Sequence, residues 1–446
     1  MQGNRTVSII EQLASFVTGA KASALSAGEQ ERLRVHLTDT VVATLAGTQI
    51  PEGKALHGLG QNGGLAERIG RCAAATRLTE IDDIHLPSCT TPSAGVVPVA
   101  LLLAASLQNF DAGEIASAVW VGTEIMTRMG VAASGPQILY RGIWPTYLAA
   151  PVAAAATAAR LFGLSAERAG HALSLAVMLT AGGVGRIHGA PSGRWFLYAN
   201  AVAGGIAAAE AARADYHGDP GLLEKNWLAD THGIALDRDR LLDALGRHSV
   251  YAALSIKPIC SAKQVIAAVE AFRYLVHEGN LRPETIAKVR VHVPPAYAGM
   301  IATRAEPGVR QSTLVSVAYQ IALAAIAPKK LYDVDRSAPT ADAGVVELSA
   351  KVDVVPDKEL DEFYPQHWPA EVEVEAGGKT SRRRVVTAAG DPEYPVSSAD
   401  VDDKAHRVLD PLIGAARVDD WLTLCHGALN GNAECQKLAT AFAQIG

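Results

Sequence analysis

Two basic residues stand in sequence settings that suit them for binding and transforming a carboxylate. Lys257 lies in the apolar segment IKPIC, next to a proline, and Arg194 follows Ser192-Gly193 at the predicted start of a helix. Burial beside other cations would favour the neutral amine of Lys257, which can act as a general base. The guanidinium of Arg194 can hold a carboxylate through two parallel hydrogen bonds. The alternatives are a structural salt bridge for Lys257 and a solvated first-turn side chain for Arg194.

A second group of polar residues, Asp82, Asp83 and His85, lies on a predicted loop bounded by Pro87 and Pro92. A histidine near carboxylates can be oriented for proton transfer, which makes His85 a candidate acid or base and Asp82 a candidate substrate-binding residue. Alternatively, the aspartates cap a helix and His85 is a hydrogen-bonded polar side chain without a catalytic role.

Three further side chains are candidates for the same site. Tyr147 is either a second acid or base, a hydrogen-bond donor to a carboxylate, or a half-buried aromatic residue. Trp144 is expected to shape the substrate pocket, because an indole cannot usefully exchange a proton. Lys263 either adds positive potential to the site or begins a helix on its solvent side.

Most of the chain before about residue 260 has helical periodicity. The segment 26–47 opens with Ser26 and Glu29, the signature of a capping box, and Gly47 is predicted to end that helix. Further helices are predicted over 111–130, 149–162, 195–214 and 237–245. The many alanines and glycines let helices approach closely, which predicts a compact bundle.

After about residue 265 the pattern is that of an α+β segment. The period-two alternation of AKVRVHVPP predicts a strand, and so do the patterns of 346–357 and of 370–388, a hairpin turning at Gly377-Gly378. A helix is predicted over 313–327, and helical periodicity returns from Asp400. The predicted fold is mostly α: a discontinuous, all-helical bundle domain (1–265 and 398–446) and a smaller inserted α+β domain (266–397).

Composition excludes several classes of protein. The chain has 446 residues and a formal net charge of −6, which gives no general attraction to nucleic acid or to anionic membranes. Its five cysteines form no CxxC pair, so a disulfide framework or a structural zinc site is not expected. No signal peptide or membrane-spanning run is recognisable. We therefore expect a soluble cytoplasmic protein that uses no metal or cofactor and forms a homodimer, the commonest symmetric assembly.

The common nucleotide-binding, zinc-protease and serine-hydrolase motifs are not found in the sequence. The segment 182–193 is rich in glycine but has neither of the two phosphate-binding spacings, GxxxxGK[ST] and GxGxxG. We expect it to be a loop. Within it, Arg186 and His188 either close over an anion or are simply exposed.

Seven segments together resemble the MmgE/PrpD family in their order and spacing along nearly the whole chain. They are LTDTVVATLAG (37–47), EIDDIHLPSCTTPSAGVVPVALLLA (80–104), RGIWPTYLAAPVAAAATAARLFGLS (141–165), SGRWFLYANAVAGGIAAAEAA (192–212), IKPICSAKQVIAAVEA (256–271), STLVSVAYQIALA (312–324) and AAGDPEYPV (388–396). The resemblance implies a helical domain, a smaller α+β domain and an active site in the cleft between them. It also makes Tyr319 a candidate substrate-binding residue, because the family has a tyrosine there.

The chain departs from the family's dehydratases and decarboxylases at positions where those enzymes carry histidine or lysine. Thr91 and Trp144 replace histidines, Arg194 replaces a lysine, and histidines after the Lys-Pro pair are replaced around 260–266. Dehydration and decarboxylation need proton donors at such positions. The pattern is most similar to the iminodisuccinate epimerase branch.

The resulting hypothesis is a cofactor-independent epimerase of an anionic amino- or imino-dicarboxylate. Lys257 and either His85 or Tyr147 would remove and return the α-proton on opposite faces, and Arg194 would anchor a carboxylate. One alternative is a hydro-lyase acting on a hydroxylated di- or tricarboxylate. Another is an anion-binding or scaffold protein without catalysis.

Overall fold

The computed structural model describes residues 7–59, 63–180, 193–336 and 342–445. Over these residues the chain is mostly helical with a smaller α+β part, which confirms the predicted fold class. None of the described helices is both long enough and apolar enough to cross a bilayer.

The first half of the chain is helical apart from two short strands. Its helices are α1 (Ile9–Gly19), α2 (Ala27–Gln49), α3 (Pro51–Gly58), α4 (Leu65–Arg77), α5 (Ser93–Leu107), α6 (Ala112–Ala132), α7 (Gly135–Leu139), α8 (Pro145–Leu161), α9 (Ala166–Met178), α10 (Gly193–Arg213), α11 (Trp227–His232) and α12 (Asp239–Leu242). The strands β1 (Ile84–His85) and β2 (Leu254–Ser255) pair with each other.

The second half contains a four-stranded sheet, its helices and three terminal helices. The helices are α13 (Lys263–Glu278), α14 (Pro295–Ile301), α15 (Arg310–Val315), α16 (Val317–Ile326), α17 (Ala343–Ala350), α18 (Ser398–Ile413), α19 (Ala415–Gly427) and α20 (Asn432–Phe442). The strands are β3 (Ile286–Val293), β4 (Val352–Pro356), β5 (Ala370–Ala376) and β6 (Lys379–Val385). Their order in the sheet is β4-β3-β5-β6, with β4 parallel to β3 and the other pairs antiparallel.

Two large hydrophobic clusters underlie these two parts. The helical cluster joins α2 to the C-terminal helices, since Val41 shares it with Val408, Leu422 and Phe442. The second cluster fills the space between the sheet and its helices, with Phe272 of α13 among its largest members. The terminal helices therefore pack on the first helices. The domain boundaries given above, 1–265 with 398–446 and 266–397, stay a prediction.

The structure corrects three local predictions. Gly47 lies inside α2 and does not end it, and a Cβ there would be 1.9 Å from the carbonyl oxygen of Ala75 in α4. This glycine therefore allows two helices to touch. The segment 346–350 belongs to α17, and only 352–356 forms a strand. The helix predicted over 313–327 is two helices, because Ser316 is extended and its hydroxyl caps α16.

Candidate functional site

The short β1–β2 ladder brings two distant segments of the chain together. Ile84 is opposite Ser255 and His85 is opposite Leu254 in an antiparallel register. The polar residues just before β1 therefore lie beside Lys257, which follows β2. Backbone pairing thus brings the acidic group and the lysine into the same region of the fold.

The loop that follows β6 forms hydrogen bonds with the segment around Lys257. The carbonyl oxygen of Gly390 accepts a hydrogen bond from the backbone N–H of Ile256 at 2.9 Å. Gly390 has a φ of +90°, and a Cβ there would lie 2.0 Å from the carbonyl oxygen of Ile256, so only glycine fits. The next residue, Asp391, pairs with buried Lys263 and accepts a hydrogen bond from the Ser255 hydroxyl at 2.8 Å.

A buried cluster of three cations and two carboxylates lies at this junction. The ammonium of Lys257, which is 1% exposed, donates to Glu80 at 3.0 Å and to Asp82 at 3.1 Å. Arg77 donates to both oxygens of Asp82, at 2.7 and 2.6 Å, and lies 3.4 Å from Glu80. Arg194 lies 3.4 Å from the same Glu80 oxygen. The side chains thus carry one positive charge in excess.

Electrostatics in this cluster favour the ionised forms of Glu80 and Arg77. Burial opposes the charge of Glu80, but Arg77, Lys257 and Arg194 lower its pKa well below the ordinary value of 4.5. Burial alone would lower the pKa of Arg77, yet Asp82 and Glu80 raise it above its ordinary range. Glu80 also has a φ of +54°, a strained conformation for a residue with a side chain. The surrounding ion pairs hold it there.

Two indole rings lie against the guanidinium of Arg194. Its guanidinium carbon lies 3.9 Å from the ring centre of Trp195 and 4.9 Å from that of Trp144, in cation–π contact with both. Tyr147 stacks on Trp144, with ring centres 5.7 Å apart, and on Tyr198 at 5.0 Å. Arg194 is therefore buried and fixed, and it is not a solvated first-turn side chain.

A small cavity opens onto this cluster, between the helical part and the α+β part of the fold. Its volume is about 40 Å³, room for about three water molecules. Charged and aromatic side chains from both parts face it: Arg77, Glu80, Trp144, Arg194, Lys257, Lys263 and Trp368. The arrangement is a small, cation-rich pocket.

Sequence comparison matches residues 71–232 to the MmgE/PrpD N-terminal domain and residues 260–426 to the MmgE/PrpD C-terminal domain. Together the two matches cover well over half of the chain. The chain belongs to the MmgE/PrpD family. Members of this family, dehydratases among them, are generally enzymes. A search of curated proteins gave no significant match.

Two of the predicted site residues of this MmgE/PrpD protein face other partners. His85 is not among the described side chains that line the cavity; its Nδ1 lies 2.9 Å from the Ser88 hydroxyl, and burial lowers its pKa to about 4. Tyr319 lines a different cavity of about 450 Å³ together with Ser316 and Val345. Burial raises the pKa of Tyr319 to about 12.

The two adjacent aspartates have different neighbours. Asp82 belongs to the charged cluster, whereas Asp83 accepts a hydrogen bond from the backbone N–H of Ser93 at 3.2 Å, at the start of α5. Asp83 also lies 3.0 Å from Nδ1 of His36. Asp83 thus has the helix-capping contact that was the alternative for this pair.

Tyr147 is fully buried beside the cluster, and its hydroxyl has no hydrogen-bond partner among the described residues. Burial raises its pKa to about 12. Arg186 and His188 lie outside the described residues. Within the described part of the chain, no group of three or more histidine, cysteine, aspartate or glutamate side chains is arranged to hold a metal ion.

Sequence reasoning missed Arg77, Glu80 and Trp368 as members of the site. A signal for the first two exists, because AAATRLTEIDD places an arginine at the end of an alanine-rich helix and a glutamate three residues later, just before the DDxH group. Trp368 stands in a loop before β5 and has no such signal. Only the fold brings it to the cavity.

Proposed function

We propose that this MmgE/PrpD protein is a cofactor-independent epimerase of an anionic amino- or imino-dicarboxylate such as iminodisuccinate. The observation that carries the proposal is the convergence of buried Arg77, Arg194 and Lys257 on one small cavity, against only Glu80 and Asp82. A buried excess of positive charge favours an anionic ligand, whose carboxylate would complete the pairing.

The cations would also lower the barrier for breaking the Cα–H bond. Removing that proton places negative charge on the α-carbon and on the adjoining carboxylate, as in an enolate. Arg194, in contact with two indoles, would hold the carboxylate, and Lys257 in its ammonium form would stabilise the developing charge. Preorganised charges in a site closed to water act more strongly than in solution.

Epimerisation needs one group that removes the proton and another that returns a proton to the opposite face. The substrate keeps its composition, since one proton leaves and one arrives. Lys257 is our candidate for one face, and Tyr147 or His85 for the other. If Lys257 is the ammonium that returns a proton, His85, whose pKa of about 4 leaves it unprotonated at neutral pH, would remove the α-proton. If Lys257 is instead the neutral amine that removes the α-proton, Tyr147, whose pKa of about 12 keeps it protonated, would return a proton from the opposite face.

The experiment is deuterium exchange in D2O with the separate stereoisomers of iminodisuccinate, followed by proton NMR and polarimetry. We expect the α-proton signal to disappear and optical rotation to change together. Lys257→Arg keeps a positive charge beside Glu80 and Asp82, but its guanidinium does not exchange a proton at neutral pH, and we expect the variant to lower the exchange rate by at least about 100-fold. A wild-type protein that exchanges no proton and alters no optical rotation would refute the proposal.

The second candidate function is a hydro-lyase, which the dehydratases within this family favour. Water would leave a hydroxylated di- or tricarboxylate and give an unsaturated product. Ultraviolet absorbance of that product, measured with hydroxylated di- and tricarboxylates as substrates, separates this function from epimerisation.

A further inference from the structure

A fourth buried cation lies near the charged cluster and has an incomplete set of partners. Arg310 is the first residue of α15, whose last residue, Val315, lines the cavity. Arg310 is 7% exposed, and its Nε donates to the Glu52 carboxylate of α3 at 2.9 Å. Its two terminal nitrogens, which form the outer edge of the guanidinium, have no hydrogen-bond partner among the described residues.

Leaving these donors unpaired is costly. A buried guanidinium nitrogen without an acceptor has lost its hydrogen bonds to water and gained none in exchange, and this penalty is larger for a charged group than for a neutral one. The Glu52 carboxylate is on the Nε side and is itself partly exposed. A ligand that supplied the missing acceptors would remove this penalty.

The helix that begins at Arg310 packs against the wall of the proposed anion pocket: the carbonyl oxygen of Leu314 accepts a hydrogen bond from the backbone N–H of Ala262 at 2.9 Å, and Ala262 and Val315 both line the cavity. Burial lowers the pKa of Arg194, and repulsion from Arg77 and Arg310 lowers it further. Nε of Arg194 also has no partner among the described residues. Each of these two buried guanidiniums has unpaired donors, so an anion that reached both would supply acceptors to both.

We propose that Arg310 forms a second carboxylate subsite, which binds the carboxylate of a dicarboxylate that is remote from the one at Arg194 and Lys257. This inference rests on the proposed function, because it assumes that the cavity binds an organic acid. Arg310 then selects dicarboxylates over monocarboxylates of the same length. Its planar guanidinium can present its two free nitrogens to the two oxygens of a carboxylate.

The test is calorimetric titration of the full-length protein with succinate and with butyrate, a four-carbon pair that differs in one carboxylate. Wild type is expected to bind succinate more tightly. Arg310→Met should weaken succinate binding by about 10- to 100-fold, the effect of losing charged hydrogen bonds, and leave butyrate binding unchanged. Arg310→Lys, which keeps the charge without the two parallel hydrogen bonds, should give an intermediate loss and serves if Arg310→Met does not fold.

Glu52→Gln is the matched control, because it removes the ion-pair partner of Arg310 and leaves the guanidinium in place. If Arg310 acts on the ligand, this variant keeps the preference for succinate. Equal losses in Glu52→Gln and Arg310→Met, or unchanged succinate binding in Arg310→Met, would overturn the subsite while leaving the proposed function intact. Wild type that binds neither acid would overturn the subsite and the carboxylate pocket of the proposed function together.

Discussion

The ammonium of Lys404 lies 2.6 Å from the main-chain carbonyl oxygen of Ile81. Ile81 stands between Glu80 and Asp82, the two carboxylates of the charged cluster, whereas Lys404 belongs to α18 near the end of the chain. The same ammonium also lies 2.6 Å from the buried carboxylate of Asp39 in α2. A helix that contributes nothing to the cavity therefore fixes the backbone that carries the site.

Replacing Lys404 with methionine is expected to destabilise the protein strongly. The change leaves the Asp39 carboxylate and the Ile81 carbonyl buried without their donor, which costs about 3–5 kcal/mol. Urea unfolding measures the free-energy change. Lys437→Met, on the exposed face of α20, is the control and should change stability by less than about 0.5 kcal/mol.

A double variant distinguishes the stability lost through the missing ion pair from the stability lost through poorer packing. Burial already raises the pKa of Asp39, so the neutral side chain is better tolerated there. Lys404→Met with Asp39→Asn should therefore recover part of the stability lost in the single variant. A double variant no more stable than Lys404→Met would contradict this account.

Glu80→Gln is predicted to strengthen carboxylate binding. Glu80 faces the cavity and holds Arg194 and Lys257 at 3.4 and 3.0 Å, so its carboxylate competes with that of a substrate for the same donors. We expect an affinity gain for succinate of about 3- to 30-fold, from one unit of positive charge freed in a low-dielectric site. Calorimetric titration of wild type and variant gives the ratio.

Asp82→Asn is the matched comparison for Glu80→Gln. Asp82 is fully buried and accepts two bonds from Arg77, at 2.6 and 2.7 Å, so it holds the cluster together and does not compete for the ligand. Its loss should weaken succinate binding. If both variants weaken binding to the same extent, Glu80 is a structural ion-pair partner and not a competitor.

Local chemistry explains why parts of the fold were predictable from the sequence. The capping box of Ser26 and Glu29 forms as expected, because both bonds are made within one turn of helix. The hairpin at Gly377-Gly378 likewise depends on residues adjacent in the chain. In contrast, the role of Gly47 depends on Ala75 in another helix, and no pattern within α2 reveals it.

The same distinction applies to the candidate site. Lys257 and Arg194 were recognisable from their apolar settings and from family resemblance. Their partner Glu80 depends on the β1–β2 ladder, which joins segments about 170 residues apart. Tyr319 was assigned from resemblance alone, and the structure places it in another cavity.

His85 is expected to make the protein sensitive to acid. Its pKa of about 4 lies below the ordinary 6.5, because burial disfavours the charged ring. Above pH 6.5 neither the folded nor the unfolded state binds this proton. As the pH falls from 6.5 to 4, only the unfolded chain takes it up, and stability falls by about 2 kcal/mol at pH 5 and about 3 kcal/mol in full.

The measurement is urea unfolding at pH 7 and pH 5 for wild type and His85→Gln. The stability lost between the two pH values should be smaller in the variant by about 2 kcal/mol. The exposed His57 of α3 provides the control, and His57→Gln should keep the wild-type loss. An identical pH dependence in wild type and His85→Gln would show that this histidine is not the acid-sensitive group.

Gly47→Ala tests the close contact between α2 and α4. An added Cβ would lie 1.9 Å from the Ala75 carbonyl oxygen and 2.6 Å from its carbon, so the two helices must separate. We expect a loss of about 1–3 kcal/mol in urea unfolding, even though alanine favours a helix more than glycine. Gly28→Ala, in the same helix with no atom within 4 Å of its added Cβ, should be neutral or stabilise the protein by up to about 1 kcal/mol. Similar effects of the two substitutions would mean that α2 and α4 do not make this contact in solution.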